Sequence, residues 1–245
     1  MSSKRNTSDY LQRASMYDLL AQYYKYTNPN LHINYYLKHM NNVNKALKMR
    51  NNQQQPLADP MVRFLHTSPN APNIDIYING QLTLKNLPFK QISTYFSLKA
   101  GKYHIDIYPT GNMVDSVLNK KITVEPGKSY TLAAIDPINK LRLLVYNAEP
   151  AVPANESKIR FIHLAKDLQP MDFAVKDRDV VFPNVSYKKA SDYLGITPMT
   201  VDLELRETGT KNVTLSIPKA QFMPNETYSI ILISNDNPEV IIIKD

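Results

Sequence analysis

The sequence contains no cysteine in 245 residues. That one absence excludes a disulfide framework, thiolate zinc sites, iron–sulfur ligation and cysteine nucleophiles. Glycine is scarce, 6 against 17 prolines, which argues against glycine-rich phosphate loops and for extended segments joined by rigid turns. Long hydrophobic runs are also missing. No segment approaches the roughly 18 apolar residues of a membrane span, and Lys4 and Arg5 are not followed by the apolar stretch of a secretory signal. The expectation is a protein made in the cytoplasm, without a membrane span, and held together by packing. No G-x-S-x-G, Walker loop, H-E-x-x-H or dinucleotide fingerprint is present.

What is present is unevenly distributed. The formal charge is +7, yet residues 1–60 hold 8 Lys+Arg against 3 Asp+Glu, and the rest of the chain 21 against 19. The first 60 residues also carry 7 of the 16 tyrosines. From Ser8, the apolar positions Leu11, Met16, Leu19, Leu20, Tyr23 and Tyr24 follow an approximately helical spacing. Asn28-Pro29 interrupts it, and Leu31, Tyr35, Leu37, Met40, Val43 and Leu47 resume it. Residues 1–55 are therefore expected to form an α-helical hairpin that ends in a polar linker, Asn51 to Pro56. Each helix has a broad apolar face and only one partner, so a face is left over for docking or self-association. Tyr17, Tyr24, Tyr35 and Tyr36 are the candidate docking residues. The cations Arg13, Lys25, Lys38, Lys45, Lys48 and Arg50 are scattered and form no single stripe, which disfavours nucleic acid as the partner.

Beyond residue 60 the chain repeats itself. Val62-Arg63-Phe64-Leu65-His66 recurs as Ile159-Arg160-Phe161-Ile162-His163, 97 positions on, and Asp75 recurs as Asp172. After a slip of one, Tyr95/Tyr193, Pro126/Pro224 and Tyr130/Tyr228 pair at 98. That period fits duplicated domains, at 60–150 and 157–245, and is too long for a solenoid. Within a copy the pattern is that of strands. Ile74 to Ile78 runs through Asn79-Gly80, a type I′ turn signal, into Gln81 to Leu84. Tyr103–Tyr108 alternates with period two, and Glu125-Pro126-Gly127-Lys128 leads into Tyr130 to Ile135. Six or seven short strands per copy predict a mainly β chain: two tandem antiparallel β-sandwiches, Ig-like or transthyretin-like, after the helical hairpin.

The run Val62 to Gly80, the Ala100-Gly101-Lys102-Tyr103 turn and the Pro126 to Thr131 turn resemble the bacterial family known as domain of unknown function 4397. The resemblance extends over roughly residues 60–245 as two copies. The second copy departs where Ser68-Pro69-Asn70-Ala71-Pro72 becomes Ala165 to Pro170 and Asn79-Gly80 becomes Asp177-Arg178. It implies a β-sandwich module usual in exported or surface proteins, and it supplies no catalytic residues.

Arg63, His66 and Asp75, with their counterparts Arg160, His163 and Asp172, are residue types suited to acid–base work or a partial metal site. Strand alternation points Arg63 and His66 to opposite faces. The expectation is a structural set, with arginine paired to aspartate and histidine capping the next loop, and with no catalytic residue, metal or cofactor. The expected function is a non-enzymatic structural or interaction protein of a surface assembly such as a spore coat, docking through its helices. The alternative is a glycan-binding sandwich using residues 68–72 and Tyr77.

Overall fold

The computed structural model describes residues 7–52, 57–112 and 114–245. Lys4, Arg5, residues 53–56 of the polar linker, and the side chains of Lys48 and Arg50 lie outside the described residues. The chain divides into two compact units, a helical one up to Leu57 and a β unit, Ala58–Asp245.

The helical unit is a hairpin of α1 (Thr7–Tyr24) and α2 (Pro29–Asn52). Asn28 caps α2, its Oδ1 accepting the Leu31 N–H at 3.1 Å, and Pro29 sits at the first helical position, where a missing N–H costs nothing. The helices meet through small residues spaced by seven. Ala14 and Ala21 of α1 and Ala46 of α2 are buried. The Nδ1 atoms of His32 and His39 lie 2.8 and 3.0 Å from the carbonyl oxygens of Ala21 and Ala14. Alanine admits the close approach that these short bonds need.

In the β unit, the first copy holds β1 (Met61–His66), β2 (Ile74–Ile78), β3 (Gln81–Leu87), β4 (Phe96–Ser97), β5 (Gly101–Pro109), β6 (Leu118–Val124), β7 (Ser129–Ile135) and β8 (Arg142–Ala148). The second repeats them as β9 (Ser157–His163), β10 (Met171–Val175), β11 (Val180–Val185), β12 (Leu194–Ile196), β13 (Met199–Glu207), β14 (Val213–Phe222), β15 (Glu226–Ser234) and β16 (Pro238–Lys244). The strand orders are β4-β1-β7-β8 and β3-β2-β5-β6 in the first copy, and β12-β9-β15-β16 and β11-β10-β13-β14 in the second. Pairing is antiparallel except for β1 with β7 and β9 with β15, which are parallel. At the β2–β3 turn, Asn79 and Gly80 both have positive φ, 50° and 79°, as a type I′ turn requires.

Each sandwich has its own core. Val62, Phe64, Tyr130 and Leu132 meet Ile76, Ile105 and Ile107 in the first; Ile159, Phe161, Tyr228 and Ile230 meet Phe173, Leu203 and Leu205 in the second. A third core joins the copies: Leu65, Ala133 and Ile135 pack with Ile162, Leu164, Ile231 and Ile233. The sheets containing β1 and β9 therefore lie inside a four-layer stack, and their central strands are buried on both faces. The Tyr130 and Tyr228 hydroxyls accept backbone N–H bonds from Glu125 and Met223 at 3.0 and 3.1 Å, which fixes the turn before each parallel strand in the manner of a tyrosine corner.

Candidate functional site

The repeated arginines mark the boundary between the sandwiches. Arg63 on β1 and Arg160 on β9 project from the faces opposite Phe64 and Phe161, and each crosses to the other copy. Arg63 donates to Thr131 Oγ1 at 3.0 Å, to the Lys244 carbonyl at 2.5 Å and to Asp245 Oδ1 at 2.6 Å. Arg160 donates to Ser229 Oγ at 2.7 Å and to the carbonyl of Asn147. Lys244 follows Asn147 by 97 residues, the period of the repeat, so the two arginines exchange partners about a pseudo-two-fold relation. Each guanidinium also stacks on a repeat-related tyrosine, Arg63 over Tyr95 at 4.4 Å and Arg160 over Tyr193 at 4.5 Å.

The exchange is incomplete. Asp245 has Ala148 as its counterpart 97 residues earlier, so a single carboxylate faces both arginines. Its Oδ2 accepts from Tyr193 at 2.5 Å and from Ser229 at 2.6 Å, and lies 3.7 Å from Arg160 Nη2. That Nη2 has no hydrogen-bond partner among the described residues. Arg63, Arg160 and Asp245 are all almost fully buried. Burial, opposed by the Arg160 charge and reinforced by the Asp245 carboxylate, pushes the Tyr193 hydroxyl well above its usual value.

The expected pairing of Arg63 with Asp75 and Arg160 with Asp172 does not form. Asp75 points away from the core of its own sandwich, since its neighbours Ile74 and Ile76 fill that core, and Arg63 lies across a different sheet. Asp75 Oδ1 instead accepts from Asn86 N at 2.6 Å and Thr110 Oγ1 at 2.8 Å. Asp172 accepts from Asn184 N at 2.7 Å and Gly209 N at 3.0 Å. Each aspartate ties the bulged second hairpin strand to the loop beyond its other neighbour.

His66 and His163 sit under the loops that follow β1 and β9. Nε2 lies 3.1 Å from the Pro72 carbonyl in the first case and 3.1 Å from that of Gln169 in the second. Ser68 N donates to His66 Nδ1 at 3.3 Å, whereas His163 Nδ1 has no partner among the described residues. Both rings are fully buried, and burial lowers both pKa values against the smaller opposing effect of the backbone bond. Unfolding lets each ring take up a proton near pH 6.5, where the folded state still excludes it, so stability rises with pH and is lost as pH falls through that value. The unfolding free energy from urea titrations is expected to drop between pH 7.5 and 5.5, by at most about 1.4 kcal/mol per pH unit for each histidine. The slope halves in His66→Gln; a flat profile contradicts the assignment.

At the other end of the boundary, Tyr187 donates to Asp136 Oδ1 at 2.5 Å, and Arg142 closes on Asp136 Oδ2. Burial raises the Asp136 pKa, but the bonds from Arg142 and Tyr187 outweigh it and hold the carboxyl below its ordinary value. Lys90 of the first copy binds Glu239 of the second at 2.6 Å.

Tyr77, the remaining candidate in the β unit, is half-buried on the outer face of its sheet. It meets Tyr108 edge-on, with centroids 5.2 Å apart and planes at 71°, so the two rings share no plane on which a sugar could stack. A concavity of about 800 Å³ lies on the second sandwich and is lined by Val175, Asp177, Arg178, Asp179, Met199 and Lys219. None of the repeated Arg, His or Asp residues lines it. Beside it, Arg206 Nε donates to Glu204 Oε1 at 2.6 Å, both residues being buried on the outer side of β13.

On the helices, three of the four candidate docking tyrosines turn inward. Tyr35 stacks with Tyr17 at 6.2 Å and with Tyr24 at 5.8 Å, and only Tyr36 is exposed. The cations follow the tyrosines: Lys38 lies over Tyr17 and Tyr35, and Lys45 over Tyr10. The large apolar side chains that the two helices expose are Leu11, Met16, Leu19 and Tyr23 on α1, and Ile33, Tyr36, Leu37, Met40 and Leu47 on α2.

The β unit's first sandwich, and the second as far as β10, coincide with a known family. Residues 60–174 match the domain of unknown function DUF4397. The DUF4397 match takes in Arg63, Arg160 and both histidines, and it stops before Asp245, which joins the two arginines. No curated protein matches the sequence. Among solved structures, a protein from Bacteroides fragilis NCTC 9343, described there as a candidate cell adhesion protein, is 10% identical over 78% of this chain and 98% of its own, with a TM-score of 0.18. That score is too low to indicate a shared fold. No described helix is long and apolar enough to cross a membrane.

Two signals for the arginine boundary were present in the sequence. Thr131/Ser229 and Tyr95/Tyr193 repeat with the arginines, and Tyr130–Ile135 and Tyr228–Ile233 are near-continuous apolar runs of the kind that burial on both faces produces. Asp245 ends the second copy where the first has Ala148, so the repeat does not mark it.

Proposed function

We propose that this chain is a non-enzymatic interaction protein of a surface assembly, attached through its helical hairpin, with the two sandwiches acting as one block. The observation that carries this reading is the exposed apolar row of α2, Ile33, Tyr36, Leu37, Met40 and Leu47, left open by a hairpin that is already closed on its alanine, histidine and tyrosine side. Soluble surfaces seldom keep such rows unless they meet something. The residue types suited to chemistry are engaged elsewhere: the arginines join the sandwiches, and the histidines and aspartates hold loops. A layered bacterial coat, such as that of a spore, is the kind of assembly proposed.

The test is retention. A fluorescently tagged full chain in its native host is expected to outline a surface layer, and Leu37→Glu, at an exposed site away from α1, is expected to release it into the cytosol. A wild-type signal that stays diffuse at every growth stage removes the proposal.

A further inference from the structure

Ile33, Leu37, Met40, Asn44 and Leu47 follow one another on α2 at spacings of four, three, four and three residues. That alternation is the 3.5-residue repeat of a coiled-coil seam. The inner positions of α2, His32, Tyr35, His39 and Ala46, carry a separate repeat already met by α1. The outer row is open: Ile33 is 55% exposed, Leu37 62%, Met40 38% and Leu47 50%, and Asn44 is exposed with them.

The surroundings of this row favour a partner like itself. The flanking residues Asn34, Tyr36, Asn41 and Val43 are uncharged, and the flanking cations Lys48 and Arg50 come only at the end of the row. Lys38 and Lys45 lie over tyrosine rings of the hairpin. A sheet or flat surface offers no holes at alternating three and four spacing, whereas a second helix does. Asn44 would be a poorly matched amide in an apolar seam, unless the facing position holds the same amide. A parallel, in-register copy provides that, and a single seam asparagine is known to set register in this way.

We propose that α2 pairs with α2 of a second copy of this chain, parallel and in register, through Ile33, Leu37, Met40, Asn44 and Leu47. The proposal rests on the interaction reading of the hairpin and names its partner. Covering the exposed parts of these side chains buries on the order of 500 Å² per chain, about 1,000 Å² in all, the lower bound for a specific interface. An interface of this size fits a reversible dimer.

Sedimentation velocity of the full chain between about 1 and 200 μM is expected to show a monomer–dimer equilibrium. Leu37→Glu and Met40→Glu, at positions that do not face α1, are expected to weaken it by about tenfold or more while leaving the helical circular dichroism unchanged. Since the chain has no cysteine, any introduced thiol can bond only between chains. Ile33→Cys and Leu47→Cys, near opposite ends of the row, are each expected to give a covalent dimer under mild oxidation, and Leu19→Cys on α1 to give none. A chain that is monomeric throughout, a dimer indifferent to Leu37→Glu, or cross-linking at Met40→Cys alone, as an antiparallel pair would give, overturns the proposal. A monomeric chain still retained at the surface layer overturns self-pairing and leaves the proposed function standing; an intact dimer that is never retained does the reverse.

Discussion

Asp245→Ala lowers the unfolding free energy of the β unit by about 3–5 kcal/mol, the cost of leaving buried charge unpaired. Among the described residues the carboxylate is the one anionic partner of Arg63, at 2.6 Å, and of Arg160, at 3.7 Å, and it also anchors Tyr193 and Ser229. Removing it strands two guanidinium groups that keep their tyrosine stacking, one hydroxyl bond and one carbonyl bond each but lose the carboxylate that compensates their charge. Asp245→Asn keeps acceptors for Tyr193 and Ser229 and is expected to lose less. Arg160→Met is milder again, since Arg160 already has an unbonded Nη2 and an apolar chain of similar length fills the slot. The measurement is urea unfolding of the full chain by tyrosine fluorescence. Equal destabilisation by all three variants would show that the carboxylate does not serve both arginines.

Phe161→Ala costs about 3–5 kcal/mol, the range for truncating a buried aromatic residue. The ring is fully buried and stacks on Phe173 at 5.2 Å, so the cavity opens between the two sheets of the second sandwich, where the strands cannot close over it. For a unit of this size that corresponds to a fall in melting temperature of about 6–20 °C. The same strand carries Ile162 into the core shared with Leu65, Ala133 and Ile135, and this sharing yields a second expectation. Calorimetry should show a single transition for both sandwiches, moved by Phe161→Ala and by Phe64→Ala alike. Two transitions, only one of which shifts in each variant, would mean that the sandwiches unfold separately and that the arginine boundary contributes little cooperativity.

Much of the architecture could be read before any coordinates. The helices follow from the apolar spacing on either side of Asn28-Pro29, and the structure shows why the break works: asparagine caps and proline opens α2. The strands follow from period-two alternation and from Asn79-Gly80, whose positive φ values few residues besides asparagine and glycine accept readily. The duplication follows from Arg-Phe-x-His and from Tyr130/Tyr228. The roles of the polar residues were less legible. Alternation along β1 separates Arg63 from His66, but it does not say what lies opposite Arg63, and Asp75 was the nearest acid of the right kind in the repeat. Tyr17, Tyr24 and Tyr35 were equally ambiguous, because aromatic residues at helical spacing serve an inner seam or an outer one.

By itself the sequence determined which segments are helix and strand, that the β region is a duplication, and that the basic excess belongs to the helices. These are local properties, set by side-chain period and turn chemistry within a few residues. Only the tertiary structure decided that the duplicated sandwiches share a third core and that one unrepeated aspartate faces two repeated arginines. Residues 63, 160 and 245 are brought together by the packing of four sheets, and no periodicity along a chain records which residue of one copy ends up beside which residue of the other.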